Sequence, residues 1–442
     1  MALISVREYG KLHIGNFDAT RPSVTKDQAD RLTNRNVTNG FSIFKYLNGT
    51  TLIAQQYVGV FQLGIHTIEI LPKIDGDVRR NLVSMLVVAL NLQIKEGDVA
   101  RVATQNQGIL EILIRLFCDK LFSQVHQGLV RRYESHEENL SVLRGRLGVV
   151  EQVRLNVANP ERLFCRFDEF QEDNPLNQVL KATIRFLLKI SRELNNQRDL
   201  AKLLLMFEGA SDCPSTVLPW HRIVFDRMSE RYRPCLKLAE LFLMKTPPDV
   251  SGGQAQGFSL FFDMNVLFEE YIGRIAVRTF IPLGYQVTLQ GPSKDLAWDE
   301  DQNRSIFALK PDVIGKLNSQ VVWILDTKWK LLAKENSWNP FSTEKLDNIK
   351  VADFYQMYAY ANCYDCPDVV LLYPHYKELG FDAGIRGRFL LNPWIKNVGD
   401  QEGPCRRHVR VATINLENLK TVPAQLLQVV LPEYVLSKAV SY

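Results

Sequence analysis

Leu309-Lys310-Pro311-Asp312-Val313-Ile314, followed after a short interval by Val322-Trp323-Ile324-Leu325-Asp326-Thr327-Lys328-Trp329-Lys330, is the stretch on which the reading of this chain turns. Ser305 to Ile314 reads as a strand, with Ile306, Val313 and Ile314 supplying β-branched apolar character. Lys316-Leu317-Asn318-Ser319 suits a turn, because Asn and Ser tolerate turn geometry and bond locally to the backbone. Val321 to Leu325 is almost wholly apolar, as expected of a strand buried on both faces. Antiparallel pairing around the turn brings Asp312 and Asp326 near each other, with the Thr327 carbonyl between Asp326 and Lys328.

Two carboxylates and a carbonyl make a hard-oxygen site that suits Mg²⁺ and leaves positions for water and a phosphate oxygen. A metal held there polarises a phosphoryl oxygen and lowers the pKa of an attacking water. Lys328 can orient or deprotonate that water, or offset charge on the phosphate, and the sequence does not separate these roles. Such a set can hydrolyse a phosphodiester. An Asp beside a Lys at a strand end is also an ordinary solvated ion pair, so the flanking elements carry weight.

Upstream, Phe261 to Ile272 predicts a helix that Asp263 can cap, with Leu267, Phe268, Tyr271, Ile275 and Ala276 as its apolar stripe. Glu269 falls within that face, where a carboxylate is costly unless it is paired or bound to a metal. The plainer alternative puts Glu269 or Glu270 exposed at the stripe's edge. Downstream, Asp353 to Ala361 predicts a second helix, on which Gln356 and Tyr360 share a face. The pair suits holding a phosphate or an ordered water, although a tyrosine stripe also suits plain core.

Glu on a helix, Pro-Asp, Asp-x-Lys and then Gln-x-x-x-Tyr together resemble the PD-(D/E)xK nuclease superfamily in its RecB-like branch. More narrowly, five segments in order resemble the McrC family: Phe262-Asp263-Met264-Asn265 with Leu267-Phe268-Glu269, Lys310-Pro311-Asp312, Asp326 to Lys330, Tyr355 to Tyr360, and Leu371-Leu372-Tyr373-Pro374. Tyr57 to Val60 and Gly64 to Ile74 carry a weaker resemblance to the N-terminal domain of that family. The resemblance implies a Mg²⁺-dependent endonuclease subunit of a modification-dependent restriction complex, with Mn²⁺ as a substitute. It acts on double-stranded DNA when activated by a hexameric AAA+ GTPase of the McrB type, whose hydrolysis it stimulates. Implied catalytic positions are Glu269, Asp312, Asp326 and Lys328, with Asp312, Asp326 and Glu269 as metal ligands and Gln356 and Tyr360 in support. The rivals are a processing nuclease of the same superfamily that acts without a GTPase motor, and a non-catalytic adaptor of an AAA+ ring.

A chain of 442 residues, 46% of them hydrophobic, can bury two or three cores. Its net charge of +4 permits local DNA contacts without demanding them. Seven scattered cysteines and no apolar run of membrane-spanning length predict a reduced, cytoplasmic protein with no membrane partner. Cys363-Tyr-Asp-Cys366 lacks a matching pair nearby, with Cys405 distant, so structural cysteines are expected rather than an iron–sulfur cluster. The sequence contains no Walker A loop, so any nucleotide-driven motor belongs to another chain.

Three segments are expected. Residues 1–125 form a β-rich N-terminal domain with helices, residues 126–255 a largely helical middle, and residues 256–442 an α/β nuclease domain, restriction-endonuclease-like, with a mixed sheet flanked by helices. Hairpin signals at Asn39-Gly40 and Asn48-Gly49 mark a β module over residues 37–74, either a plain core or a finger that docks on a motor ring. Helical spacing begins near Val78 and recurs at Leu110, Leu113, Leu116 and Phe117, over residues 174–194 and over residues 229–245. Arg131-Arg132-Tyr133 and Arg144-Gly145-Arg146 are either a solvated face or a phosphate-binding or finger-like arginine cluster. Pro247-Pro248 with Ser251-Gly252-Gly253 marks the boundary before the last domain, and Arg386, Arg388, Arg406 and Arg407 are candidates to line DNA.

Overall fold

The computed structural model describes residues 3–15, 22–34, 43–63, 66–94, 96–102, 107–214, 217–244, 258–332, 345–346, 349–380, 382–391 and 407–432. Asn39-Gly40, Gly64-Ile65, the boundary at 247–253, Cys405 and Arg406 lie outside them. By packing, the chain forms two compact units, one of residues 1–91 with 261–442 and one of residues 92–260. Residues 92–125, expected with the N-terminal domain, therefore belong with the middle. The first 91 residues share a unit with the C-terminal part because the helix Val78–Ala89 packs on the helix Met264–Phe280.

A four-stranded sheet runs Leu3–Arg7, His66–Leu71, Tyr57–Leu63, Ser259–Asp263 in spatial order, all of it in the first unit but for Ser259 and Leu260. A second runs Ser23–Val24, Lys11–Ile14, Thr51–Ala54, Phe44–Asn48, its last two strands joined through the Asn48-Gly49 turn read from the sequence. Leu12, Phe44, Leu52, Ile68 and Ile70 close a common core between them. Each such fully buried aliphatic side chain contributes about 1.5–3 kcal/mol.

The C-terminal part is a six-stranded mixed sheet, ordered Gln286–Leu289, Val313–Leu317, Gln320–Thr327, Asp368–His375, His408–Asn415, Gly384–Leu390. Its middle three strands are mutually parallel and its outer pairings antiparallel. Val369-Val370-Leu371-Leu372 is wholly buried, as a strand flanked by parallel neighbours and covered on both faces must be. Ile324 joins the core with Met357 and Tyr360 of the helix Val351–Cys363. Its neighbour Trp323 packs on Phe280, the last residue of Met264–Phe280, with ring centroids 4.8 Å apart. Since successive strand residues face opposite ways, the two helices cover opposite faces of the sheet.

The expected strand from Ser305 to Ile314 is in fact two. Arg304–Leu309 pairs with Lys294–Asp299 in a separate ribbon, and Val313–Leu317 belongs to the main sheet. Lys310-Pro311-Asp312 is the break, where proline lacks the N–H a ladder needs. Asn318 and Ser319, both at positive φ (50° and 68°), make the turn into Gln320–Thr327. Gly315 stands opposite Trp323, and a Cβ on it would come within 2.0 Å of the indole.

The second unit contains the helices Ile109–Val125, Pro175–Ile190, Leu194–Met206 and Arg233–Met244. Asn174 caps Pro175–Ile190 by accepting from the Asn177 amide, with Pro175 in the first turn as its residue type predicts. This unit is less helical than expected. Arg132–Leu140, Leu163–Gln171 and Arg146–Leu147 form a three-stranded antiparallel sheet. The outcome is physically reasonable, because Leu163-Phe164-Cys165-Arg166-Phe167 buries alternate residues in the strand manner.

Candidate active site

Asp312 and Asp326 meet at the ends of adjacent strands. Val313 is opposite Leu325 in the ladder, so one further step places Asp312 beside Asp326. Asp312 Oδ2 accepts both the backbone N–H and the hydroxyl of Thr327, each at 2.7 Å. Asp326 is 1% exposed, and its Oδ2 lies 2.7 Å from the Lys328 ammonium without a well-directed hydrogen bond. Burial raises the Asp326 carboxyl to about 7, the Asp312 charge adding to the rise and Lys328 opposing it. Asp312 is also raised by burial, against the pull of the Thr327 bonds.

The alternation that puts Ile324 under the helix Val351–Cys363 carries Asp326 and Lys328 to the same side. There the Lys328 ammonium donates to Gln356 Oε1 at 3.0 Å. Gln356 Nε2 donates to the Tyr360 hydroxyl at 2.6 Å, and Tyr360 donates in turn to the Lys310 carbonyl at 3.2 Å. The circuit closes on the strand break that carries Asp312, so all these residues hold one another. Burial works against the Lys328 charge, but Asp326 outweighs it and the ammonium is held above its ordinary range. That state suits offsetting phosphate charge or orienting water, not removing a proton. Tyr360 is pushed well above the phenol range, first by burial and then by Asp326, which keeps it a donor.

Glu269 is half-buried on Met264–Phe280, a helix capped by Asp263 through the Asn265 amide at 2.8 Å, and Leu267, Phe268, Tyr271, Ile275 and Ala276 are buried as their spacing requires. Burial raises its carboxyl, and the charge of Asp312 raises it further. Among the described residues, however, no three His, Cys, Asp or Glu side chains converge as a metal cluster. Glu269 is held instead by Gln290, whose Nε2 donates to it at 3.0 Å. Nothing in the local sequence pattern marks Gln290 as a site residue. Its backbone N–H donates to the Asp312 carbonyl at 2.8 Å and its Oε1 accepts from Lys310 at 3.3 Å, so one residue ties the helix to the strand break. It sits at a positive φ of 51° just before Gly291-Pro292.

The buried carboxylate of Asp326, with one oxygen short of a directed hydrogen bond, and the half-buried one of Asp312 fit a hard divalent cation by donor chemistry. Lys330 pairs with the buried Asp353 at 3.1 Å, giving a second cation on the same segment. Arg386 and Arg388 lie on the far edge strand, and Arg407 pairs with Asp365 at 2.6 Å. Cys363 and Cys366 are free thiols, the latter buried and donating to the Asp368 carbonyl at 3.1 Å.

The family model described as "McrBC 5-methylcytosine restriction system component" matches residues 52–374, so the chain belongs to that family, on its McrC side. It is 22% identical over 356 residues to the type IV methyl-directed restriction enzyme EcoKMcrBC of Escherichia coli K12, covering 74% of this chain and 94% of the relative. It also resembles a chain in the refined half-complex of a tetradecameric assembly of Thermococcus gammatolerans McrB AAA+ hexamers with bound McrC. There the TM-score is 0.69 at 21% identity, with 95% of this chain and 96% of the other covered. A chain of the Thermococcus gammatolerans McrBC complex matches at TM-score 0.51 and 24% identity, covering 63% of this chain and 88% of the other. Among the described residues, no helix is long and apolar enough to cross a membrane.

Proposed function

We propose that this chain is the Mg²⁺-dependent endonuclease subunit of a modification-dependent restriction complex, with its active site at Asp312, Asp326 and Lys328 in a restriction-endonuclease-like sheet. The observation that carries the reading is the pairing of the buried Asp326 with the half-buried Asp312, with the Lys328 ammonium 2.7 Å from Asp326. A buried carboxylate kept unused beside a second one is costly, which argues against an inert adaptor.

Asp312 and Asp326 would hold the metal, with Glu269 as a further ligand or a holder of water. Bound there, Mg²⁺ would supply Lewis acidity toward a phosphoryl oxygen and acidify a water. Lys328 offsets charge building on the phosphate. Gln356 and Tyr360 fix the height of that ammonium over the strand end, and Thr327 fixes the rotamer of Asp312. Gln290 keeps Glu269 turned toward the break.

The same reading supplies a motor partner, an AAA+ ring of the McrB type, and duplex DNA as the substrate. Among the described residues of the module at 37–74, Phe44, Leu52, Phe61, Ile68 and Ile70 are buried in a core shared with Ile4 and Leu12, and Tyr46 and Leu47 are its exposed large apolar side chains, which weakens its candidacy as the docking element. The sheet of residues 132–171 suits that role better. Val142, Leu143, Val149, Val150, Val153 and Val157 on and beside it are all more than half exposed. Arg131 and Arg144 are ion-paired, whereas Arg146 makes no ion pair among the described residues and remains a candidate to reach a partner.

The test is cleavage of methylated and unmethylated plasmid by the chain with its AAA+ partner, Mg²⁺ and nucleotide. The reading expects cutting of methylated DNA that needs both proteins. Cutting without any motor would favour a lone processing nuclease, and no cutting under any condition would favour an adaptor.

A further inference from the structure

The strand that carries Asp326 ends at Thr327, and the chain then leaves the sheet through Lys328, Trp329 and Lys330. Lys328 keeps one ladder bond, its N–H donating to the Leu372 carbonyl at 2.9 Å. Beyond it, side chains hold the segment. The alternation that turns Lys328 toward Gln356 turns Trp329 to the opposite face, where its ring meets Phe268 at 5.2 Å between centroids. Its indole N–H donates to both carboxyl oxygens of Glu8, at 3.0 and 3.1 Å.

Glu8 is 0% exposed and lies just past the N-terminal strand Leu3–Arg7. Its own N–H donates to the Leu71 carbonyl at 2.9 Å, and Oε2 accepts the Lys73 amide at 3.1 Å. The carboxyl is thus mounted rigidly on two strand ends of the N-terminal sheet. A carboxyl buried so completely is expensive, and an apolar residue would fill the place at less cost unless the bond to Trp329 has a use.

We propose that Glu8 is a positioning residue for the nuclease site, setting the place of Lys328 by anchoring Trp329, so that the N-terminal sheet and the catalytic strand end move as one. This rests on the nuclease reading given above. Burial of Glu8 raises its carboxyl to about 7, against the opposing pull of the Lys73 and Trp329 hydrogen bonds and the Lys73 charge, with Asp263 adding slightly to the rise. The neutral acid already serves as acceptor, so glutamine, which keeps a carbonyl oxygen for the two N–H donors, should stand in for it.

The experiment compares Glu8→Ala, Glu8→Gln, Trp329→Phe and Asp326→Ala in the full chain with its AAA+ partner. It reads single-turnover cleavage, the DNA concentration for half-maximal rate, stimulation of nucleotide hydrolysis, and melting temperature. Misplacing a catalytic group by about 1 Å costs roughly tenfold to a hundredfold in rate. That loss is expected for Glu8→Ala and Trp329→Phe, with half-maximal DNA concentration and motor stimulation unchanged and Glu8→Gln close to wild type. Trp329→Phe retains the ring on Phe268, so it tests the bond even where Glu8→Ala fails to fold. Wild-type cleavage by Trp329→Phe, or a Glu8→Gln variant as slow as Glu8→Ala, overturns the inference, as does loss that merely follows melting temperature. If Asp326→Ala still cuts, the nuclease reading itself falls, and that result is separate from the others.

Discussion

Thr327 gives both its backbone N–H and its hydroxyl to a single oxygen of Asp312, each at 2.7 Å. Sequence proximity does not suggest the bond, since Thr327 belongs to the Asp-x-Lys segment and Asp312 to the strand before it. It locks one carboxylate against the chain segment that carries the other. Thr327→Val should remove one of the two bonds at a cost on the order of 1–2 kcal/mol and slow cleavage about tenfold. Thr327→Ser should behave as wild type in the same plasmid assay.

Binding of Mg²⁺ should strengthen as pH rises toward 7. Burial raises both Asp312 and Asp326, the latter further by the Asp312 charge, so protons compete with a cation for the pair. Titration calorimetry at successive pH values should show proton release on binding. Asp312→Asn and Asp326→Asn should each weaken the affinity severely.

The Lys328–Gln356–Tyr360 circuit predicts a graded series. Gln356→Leu removes the acceptor of the ammonium and the donor to Tyr360, and should slow cleavage roughly tenfold without changing the fold. Lys328→Met should cost more, on the order of a hundredfold or above, because the charge itself is lost. Circular dichroism alongside single-turnover rates separates the two effects from unfolding.

Glu8 makes stability depend on pH with a definite sign. Its carboxyl ionises near its ordinary 4.5 in the unfolded chain and at about 7 in the folded one. Between those values the folded state holds a proton the unfolded state has released, so stability falls as pH rises across that window and levels off above it. Urea unfolding midpoints from pH 4 to 8, taken on wild type and Glu8→Gln, should show this decline in the first and a flatter profile in the second.

Gly315 is expected to tolerate no side chain. A Cβ would lie 2.0 Å from the Trp323 indole, which is itself packed on Phe280, so neither partner can yield. Gly315→Ala should destabilise by about 1–3 kcal/mol, measurable as a lower unfolding midpoint.

Much of the candidate site was legible because its parts lie on or beside regular elements. Asp312 and Asp326 follow from one hairpin, Gln356 and Tyr360 from helical spacing, and Glu269 from a carboxylate placed in an apolar stripe. The strand expected from Ser305 to Ile314 runs through Pro311, whose missing N–H instead ends one ribbon before the main sheet begins. The strands at 132–171 were hidden by charge, since Arg132-Tyr133-Glu134-Ser135-His136-Glu137 alternates too weakly in hydropathy to announce a sheet. Gln290 and Glu8 could not be found by local pattern at all. Their partners are Glu269 and Trp329, and only the tertiary fold brings Glu8 across 321 residues to the indole.

The most direct test of the central claim is a single reaction. Methylated plasmid, the AAA+ partner, Mg²⁺ and nucleotide are incubated with wild type or Asp326→Ala, and DNA cutting and nucleotide hydrolysis are followed together. Loss of cutting with hydrolysis still stimulated is the predicted result, placing the nuclease at the Asp312–Asp326 pair. Cutting that survives the substitution would contradict it.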